Sequence, residues 1–224
     1  MEHILKKDST EPFSGREKKG ADMKITNIVI TGGPCGGKTT GLNEIKKTFS
    51  SLGYCVLIVP ETATELISGG VAPWTCVSPF EYQRYQMRLQ LTKEGIFRDA
   101  ARKMPHDKIL ILYDRGMMDN KAYLPEEEFA VLADFYSSEE EMTNRYDAIF
   151  HLVTAAKGAE KFYTLDNNAA RIETVEEAIE VDNRLLAAWK NHPHLSVIGN
   201  DSGFDGKISK LLKEMADFLG EEII

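Results

Sequence analysis

Thr31-Gly32-Gly33-Pro34-Cys35-Gly36-Gly37-Lys38-Thr39-Thr40 is the stretch on which the reading of this chain turns. From Gly32 to Thr39 it has the spacing Gly-x-x-x-x-Gly-Lys-Thr, the Walker A pattern. Glycines let the backbone curl with its N–H groups inward around a polyphosphate, the lysine reaches the β and γ oxygens, and the threonine hydroxyl suits Mg²⁺. Gly32, Gly33, Pro34, Cys35, Gly36, Gly37, Lys38, Thr39 and Thr40 are therefore expected to cradle a nucleoside triphosphate, with Lys38 also acting on the transferred phosphate and Thr39 on the metal. The flanks agree. Lys24 to Thr31 (KITNIVIT) is a short β-branched run, and Leu42, Ile45, Phe49 and Leu52 recur at helical spacing before Gly53 stops them. A strand, a glycine loop and a helix N-terminus in that order form an anion site, because the first turn of a helix presents unpaired N–H groups.

Working outward, 224 residues suffice for one domain with a sizeable core. A hydrophobic share of 42 % and a charged share of 28 % are ordinary for a globular protein. A net charge of −8 argues against non-specific nucleic-acid binding, which needs a basic surface. No run reaches the roughly 18 apolar residues of a spanning helix. Cys35, Cys55 and Cys76 show no metal spacing and fit reduced thiols, so a cytoplasmic setting is expected. Residues 1–22 are polar, mixed in charge and aperiodic, and read as a flexible tail or a basic arm ahead of one folded domain over 23–224.

Short apolar runs then alternate with helical stretches. Tyr54–Pro60, Lys108–Tyr113, Asp147–Thr154 and His194–Ile198 read as four further buried strands. The pattern predicts an α/β fold with a parallel five-stranded sheet covered on both faces. Ser78-Pro79-Phe80-Glu81 opens a long helix to about Lys103, and Thr174-Val175-Glu176-Glu177 opens another through Trp189. On the first, Tyr82, Tyr85, Leu89, Ile96 and Ala100 are expected to form the apolar stripe, with Gln83, Gln86, Gln90 and Glu94 on a separate one.

In such sheets ligands lie beyond the carboxyl ends of the strands, which singles out a few residues. Glu61 follows the second strand and either accepts the proton of an attacking hydroxyl or caps the next helix. Asp114 ends the third apolar run in the Walker B manner and would hold Mg²⁺. Arg115, next to it, would touch the acceptor or the transferring phosphate, unless the two form a local ion pair. Arg171 lies in a polar, aperiodic segment, where an arginine either stabilises charge on the transferred group or is merely solvated; Lys157, Lys161 and Arg184 are weaker candidates for the same work. Gln83, Gln86 and Gln90 either read the edge of an acceptor or face solvent. Trp74 either covers that acceptor or plugs a loop.

Several segments carry a resemblance beyond the loop itself. The phosphate loop, Glu61-Thr62-Ala63-Thr64-Glu65-Leu66, Asp114-Arg115-Gly116 and Asp119-Asn120-Lys121-Ala122-Tyr123 resemble small P-loop proteins of the AAA-like ATPase and kinase class. That class includes the nicotinamide riboside kinase domain and lies near deoxynucleoside and thymidylate kinases. Thr154-Ala155-Ala156, Phe162-Tyr163-Thr164, Asn167-Asn168, Arg171, Asp182-Asn183, Trp189 and His192-Pro193 are similar to the N-terminal domain of the TRPL translocation defect family, described as GTP-binding and regulatory. The likeness runs from about Met23 onward. It implies a three-layer P-loop NTPase fold of nucleoside-kinase type with strand order 2-3-1-4-5. It also implies Glu61 as base, Asp114 and Arg115 as the acid–arginine pair, and one glutamine of the long helix as acceptor reader.

Two functions follow. One is an ATP- or GTP- and Mg²⁺-dependent phosphotransferase acting on a nucleoside-like or other small hydroxyl acceptor. The other is a nucleotide-dependent regulatory switch with little or no transfer. A Ras-type switch is disfavoured: no Asn-Lys-x-Asp guanine reader occurs, and the Asp-x-x-Gly sensor of the γ-phosphate is expected to be missing.

Overall fold

The computed structural model describes residues 23–159 and 174–223. The expected tail over 1–22, Arg171 and Lys161 lie outside the described residues.

Five strands form one parallel sheet in the order β2-β3-β1-β4-β5. They are β1 (Lys24–Thr31), β2 (Cys55–Val59), β3 (Lys108–Asp114), β4 (Ala148–Leu152) and β5 (Leu195–Ile198). β1 is central, with Ile30 in register with Asp114 on one side and Phe150 on the other. The strands that flank it end almost level with it, so their exits gather along one edge of the sheet.

Helices cover both faces, which is why the central strands read as unbroken apolar runs. Ile28, Ile30, Leu110, Leu112 and Phe150 face α1 (Lys38–Ser51) and α7 (Gly203–Leu219). The alternate residues Val29, Ile109, Ile111, Tyr113 and Ile149 face the opposite layer. That layer holds α3 (Pro79–Ala101), α4 (Glu126–Tyr136), α5 (Glu139–Thr143) and α6 (Val175–Trp189), with a 3₁₀ helix over Met117–Tyr123. The short α2 (Thr62–Ser68) follows β2. The strand at the β2 edge is only half-buried along most of its length, not fully buried as its composition predicts, because it has a neighbour on one side alone.

Both helices start where predicted, the first with one half of the expected capping box and the second with both. Ser78 Oγ accepts the Glu81 N–H at 3.2 Å, and Thr174 and Glu177 exchange the paired bonds of a capping box. The predicted apolar stripe of α3 holds at Tyr82, 2 % exposed, and fails at Tyr85 and Ile96. Tyr85 and Ile96 are 43 % and 61 % exposed, while Gln83, Met87, Gln90 and Glu94 point inward. The inner side of this helix borders a cavity and a buried polar cluster, so its periodicity is carried by amides and a carboxylate instead of by apolar side chains. Glu94 accepts from Tyr146 Oη at 2.7 Å, from Arg98 and Arg145, and from Gln90.

Trp189 ties the layers together. Its ring is fully buried edge-on to Tyr146, it fills the space a side chain on Gly116 would need, and its Nε1 donates to Asp119 Oδ1 at 2.8 Å. The same carboxylate accepts the Thr31 hydroxyl at 2.6 Å and the Gly116 N–H at 2.8 Å, joining α6 to the tip of β1 and to the 3₁₀ helix. Trp189→Phe is expected to lower the unfolding free energy by about 2–4 kcal/mol, through a lost donor to a buried carboxylate and an unfilled ring position. A fall in the urea midpoint at constant m would register it.

Candidate phosphate and acceptor site

The loop between β1 and α1 takes its shape from close packing on β4. A Cβ at Gly32 or Gly36 would run into the Leu152 carbonyl, and Gly32 has φ +133°. Gly37, at φ 89°, turns the chain into α1. Cys35 sits at φ 55°, a left-handed conformation that a non-glycine residue adopts only where its surroundings enforce it. Gly36 N–H donates to the Gly33 carbonyl at 3.3 Å, and the Thr154 hydroxyl donates to the Pro34 carbonyl. The first turn of α1 carries no acidic residue and no side-chain cap, so its amide end stays suited to an outside anion. Lys38 is the first residue of that turn, and Thr39 and Thr40 follow it on the surface.

The strand tips bring the remaining predicted groups to the same crevice. Glu61 precedes α2, yet its carboxylate makes no capping bond to the helix. Oε1 accepts Arg115 Nε at 3.0 Å and Oε2 accepts the Thr64 hydroxyl at 2.6 Å. Burial pushes this carboxyl up, but Arg115 and Lys38 together outweigh it and hold the pKa down at about 2.

Arg115 has φ 81°, a strained backbone at a strand end. Its conformation is over-determined. Its N–H donates to the Ile30 carbonyl at 3.2 Å, its carbonyl accepts Gln90 Nε2 at 3.4 Å, and its guanidinium spans Glu61 and, at 3.0 Å, the Gly32 carbonyl. The neighbouring carboxylates and Tyr123 keep this cation firmly charged despite burial. The ion pair that forms is therefore Arg115–Glu61; among the described residues none joins Arg115 to Asp114. Asp114 is left differently equipped. Its Oδ1 is buried without a hydrogen-bond partner, and burial raises its pKa although Lys38 pulls the other way.

Between Glu61 and α3 lies a cavity of about 300 Å³, bordered by Lys38, Glu61, Arg115, Tyr82 and the three glutamines. The glutamines are not equivalent. Gln86 Nε2 donates to Asn120 Oδ1 at 2.9 Å, Asn120 Nδ2 donates to Gln90 Oε1 at 3.1 Å, and Gln90 Nε2 donates to Glu94 Oε1 at 3.2 Å. Gln83 stands outside this chain: 4 % exposed, it has Oε1 without a partner, as does the hydroxyl of adjacent Tyr82, 2 % exposed. A buried polar atom without a partner costs about 1–3 kcal/mol, and among the described residues these two are the unsatisfied donors and acceptors of the cavity wall. Trp74 borders the cavity and is 63 % exposed, which rules out a packing plug.

Other groups here carry no short-range sequence signal. Asp182 of α6 accepts the Gly33 and Thr154 N–H groups, with His151 and Lys157 on the same carboxylate. Lys157 is thus committed to Asp182 and to Asn183 Oδ1, and Arg184 is exposed on α6 near Glu180. Asn200, in the segment after β5, donates its side-chain amide to the Thr154 and Lys157 carbonyls. Buried Lys207 donates to the Val153 carbonyl and to Asn200 Oδ1, with its pKa pushed down to about 8 by burial. The Phe204 ring lies against Gly37.

A family model described as an AAA domain matches residues 27–204. No curated protein sequence matches the chain. Among solved structures, the deoxyadenosine kinase of M. mycoides with bound dATP superposes with a TM-score of 0.57 at 15 % identity, over 85 % of this chain and 98 % of that one. At that identity the likeness speaks for the fold: a P-loop nucleoside-kinase topology with the same five-stranded sheet.

The depressed pKa of Glu61 has a consequence for stability. A carboxyl pulled down on folding stabilises the native state above its ordinary value of 4.5, and that contribution disappears as the pH falls toward about 2. Urea unfolding of wild type and Glu61→Gln across this range is expected to show the wild-type advantage shrinking steadily with acid.

Proposed function

The chain belongs to the AAA domain family, and on that premise we propose that it is a phosphotransferase. It uses ATP or GTP with Mg²⁺ to phosphorylate a hydroxyl of a nucleoside-like small molecule held in the cavity between Glu61 and α3. One observation carries this reading above all: the cavity that Lys38 borders continues past Glu61 to α3, where orphaned polar atoms of Tyr82 and Gln83 stand in its wall. A module that only bound a triphosphate has no need of it. The resemblance to nicotinamide riboside and deoxynucleoside kinases supports the same class of acceptor.

The roles follow from the geometry. Gly32 to Thr40 wrap the triphosphate, and Lys38 meets its terminal oxygens. The acceptor oxygen forms a bond to the γ-phosphorus while the bond to the β–γ bridging oxygen breaks, leaving a nucleoside diphosphate and the phosphorylated acceptor. Glu61 orients the hydroxyl and receives its proton. A carboxylate with a pKa near 2 is a weak base, yet in a loose transition state the proton leaves late and orientation matters more than basicity. Arg115, spanning Glu61 and the Gly32 carbonyl, couples the acceptor side to the loop and spreads charge on the transferred group. Thr39 and the unpartnered Asp114 Oδ1 fit an oxygen-seeking divalent cation and are the residues that would hold Mg²⁺. When bound, that ion neutralises charge between the β- and γ-phosphates. Gln83 reads the acceptor's polar edge, with Gln86 and Gln90 supporting the wall through Asn120. Arg171 keeps its proposed role on the transferred phosphate. Residues 23–224 form one functional domain after a tail, and thiols without disulfides suit the cytoplasm.

The switch reading, suggested by the TRPL-family resemblance, finds less support. The chain does contain an Asp-x-x-Gly, Asp217-Phe218-Leu219-Gly220, contrary to expectation. It ends α7, where Gly220 at φ 74° is the helix stop, so it serves helix termination and not γ-phosphate sensing. No described helix is long and apolar enough to cross a membrane.

Calorimetry with Mg-ATP and Mg-GTP, followed by coupled transfer assays over a nucleoside panel, tests the proposal. Lys38→Ala is expected to abolish triphosphate binding. Glu61→Gln keeps binding and lowers transfer by about 10²-fold or more. Gln83→Leu raises the acceptor KM by about tenfold while the triphosphate KM stays put. Transfer by Glu61→Gln at the wild-type rate, or triphosphate binding with no acceptor in the panel, removes the kinase assignment.

A further inference from the structure

The Walker A spacing specifies residues 32, 37, 38 and 39 and leaves position 33 open, yet it too is glycine. Packing supplies the reason. A Cβ on Gly33 would lie 2.8 Å from the Cβ and Oδ1 of Asp182 and 2.9 Å from the Cβ of Thr154. Asp182 comes this near because its Oδ1 accepts the Gly33 N–H at 2.8 Å and the Thr154 N–H at 3.1 Å. These amides leave the tips of neighbouring strands β1 and β4, so one oxygen staples two tips together. His151, inside β4, donates from Nε2 to the same oxygen at 3.0 Å, and Lys157 Nζ donates to Oδ2 at 2.6 Å. Asp182 and His151 are fully buried, leaving no water to replace a lost partner. Burial works against ionising this carboxyl, but His151, Lys157 and the Gly33 amide more than offset it and keep Asp182 an anion.

We propose that Asp182 is a positioning residue for the phosphate loop: it fixes the separation of Gly33 and Thr154, and through them the curve of residues 33–37 that receives the triphosphate. Gly33 is glycine so that this carboxylate can reach it. The consequence for nucleotide affinity rests on the proposed function; the anchoring itself does not. Asp182 acts only through the loop, with Lys157 offsetting its charge beside a polyanion site.

The Cys35 thiol, half-exposed in the loop, is a direct probe of that curve. Alkylation by iodoacetamide, resolved by peptide mass spectrometry, reports it, while half-exposed Cys55 in β2 reports general opening. In Asp182→Ala and in Gly33→Ala the Cys35 rate is expected to change several-fold with the Cys55 rate unaltered. Combining the two substitutions adds nothing further, because both break one contact. Asp182→Asn, which keeps an acceptor oxygen but loses the Lys157 pair, falls between. The Kd for Mg-ATP weakens about tenfold in Asp182→Ala, the worth of a charge-assisted hydrogen bond. Cys35 rates within about twofold of wild type in both single variants overturn the anchoring, since changes that small belong to substitutions with no mechanism behind them. So does acceleration of all cysteines together in both. Should Mg-ATP fail to shield Cys35 in the wild type, the triphosphate reading falls, while the ligand-free rates still decide the role of Asp182.

Discussion

Strand β1 is enclosed on both faces by helices and bonded along both edges, to β3 and to β4. A chain so confined can turn only where its neighbours stop. Everything chemical in this protein follows from that constraint. The tips of β1, β2, β3 and β4 expose their following residues to one crevice, and the phosphate loop occupies its centre because β1 does. The loop has little hydrogen bonding of its own. It borrows its shape from the Leu152 carbonyl, the Thr154 hydroxyl and the Arg115 guanidinium, all from neighbouring strand ends.

The crevice also answers an electrostatic question raised by a chain of net charge −8 with a proposed polyanionic ligand. Its acids are already spoken for, with one exception. Glu61 is matched by Arg115, Asp182 by Lys157, and Asp119 by donors from Thr31, Gly116 and Trp189. Among the described carboxylates of the crevice, Asp114 alone keeps a buried oxygen without a partner. The local field is set by pairings, so the global charge is a poor guide to what the site attracts.

What the sequence revealed and what it hid divide along a physical line. The central strands were legible because residues covered on both faces must be apolar without interruption, as in Ile109 to Leu112. The phosphate loop was legible because its chemistry is encoded at short, fixed spacing. The orientation of α3 was not, since an apolar-stripe argument assumes an oily interior and this helix turns Gln83, Gln90 and Glu94 inward. Nor could spacing alone rank the three glutamines; their difference depends on Asn120, which arrives from the 3₁₀ helix. Asp182 lies 149 residues from its amide partner Gly33, beyond any local pattern.

That long separation bears on the order in which the molecule is made. β1 and its glycine loop emerge among the first parts of the domain, but β3, β4 and α6 come much later, and parallel pairing cannot close until they do. A growing chain therefore carries an apolar strand without a partner on either edge until β3 is made near the middle of the sequence, and waits for β4 to close the other edge. Nucleotide cannot guide the early steps, because the surface that would recognise it is completed only when α6 docks.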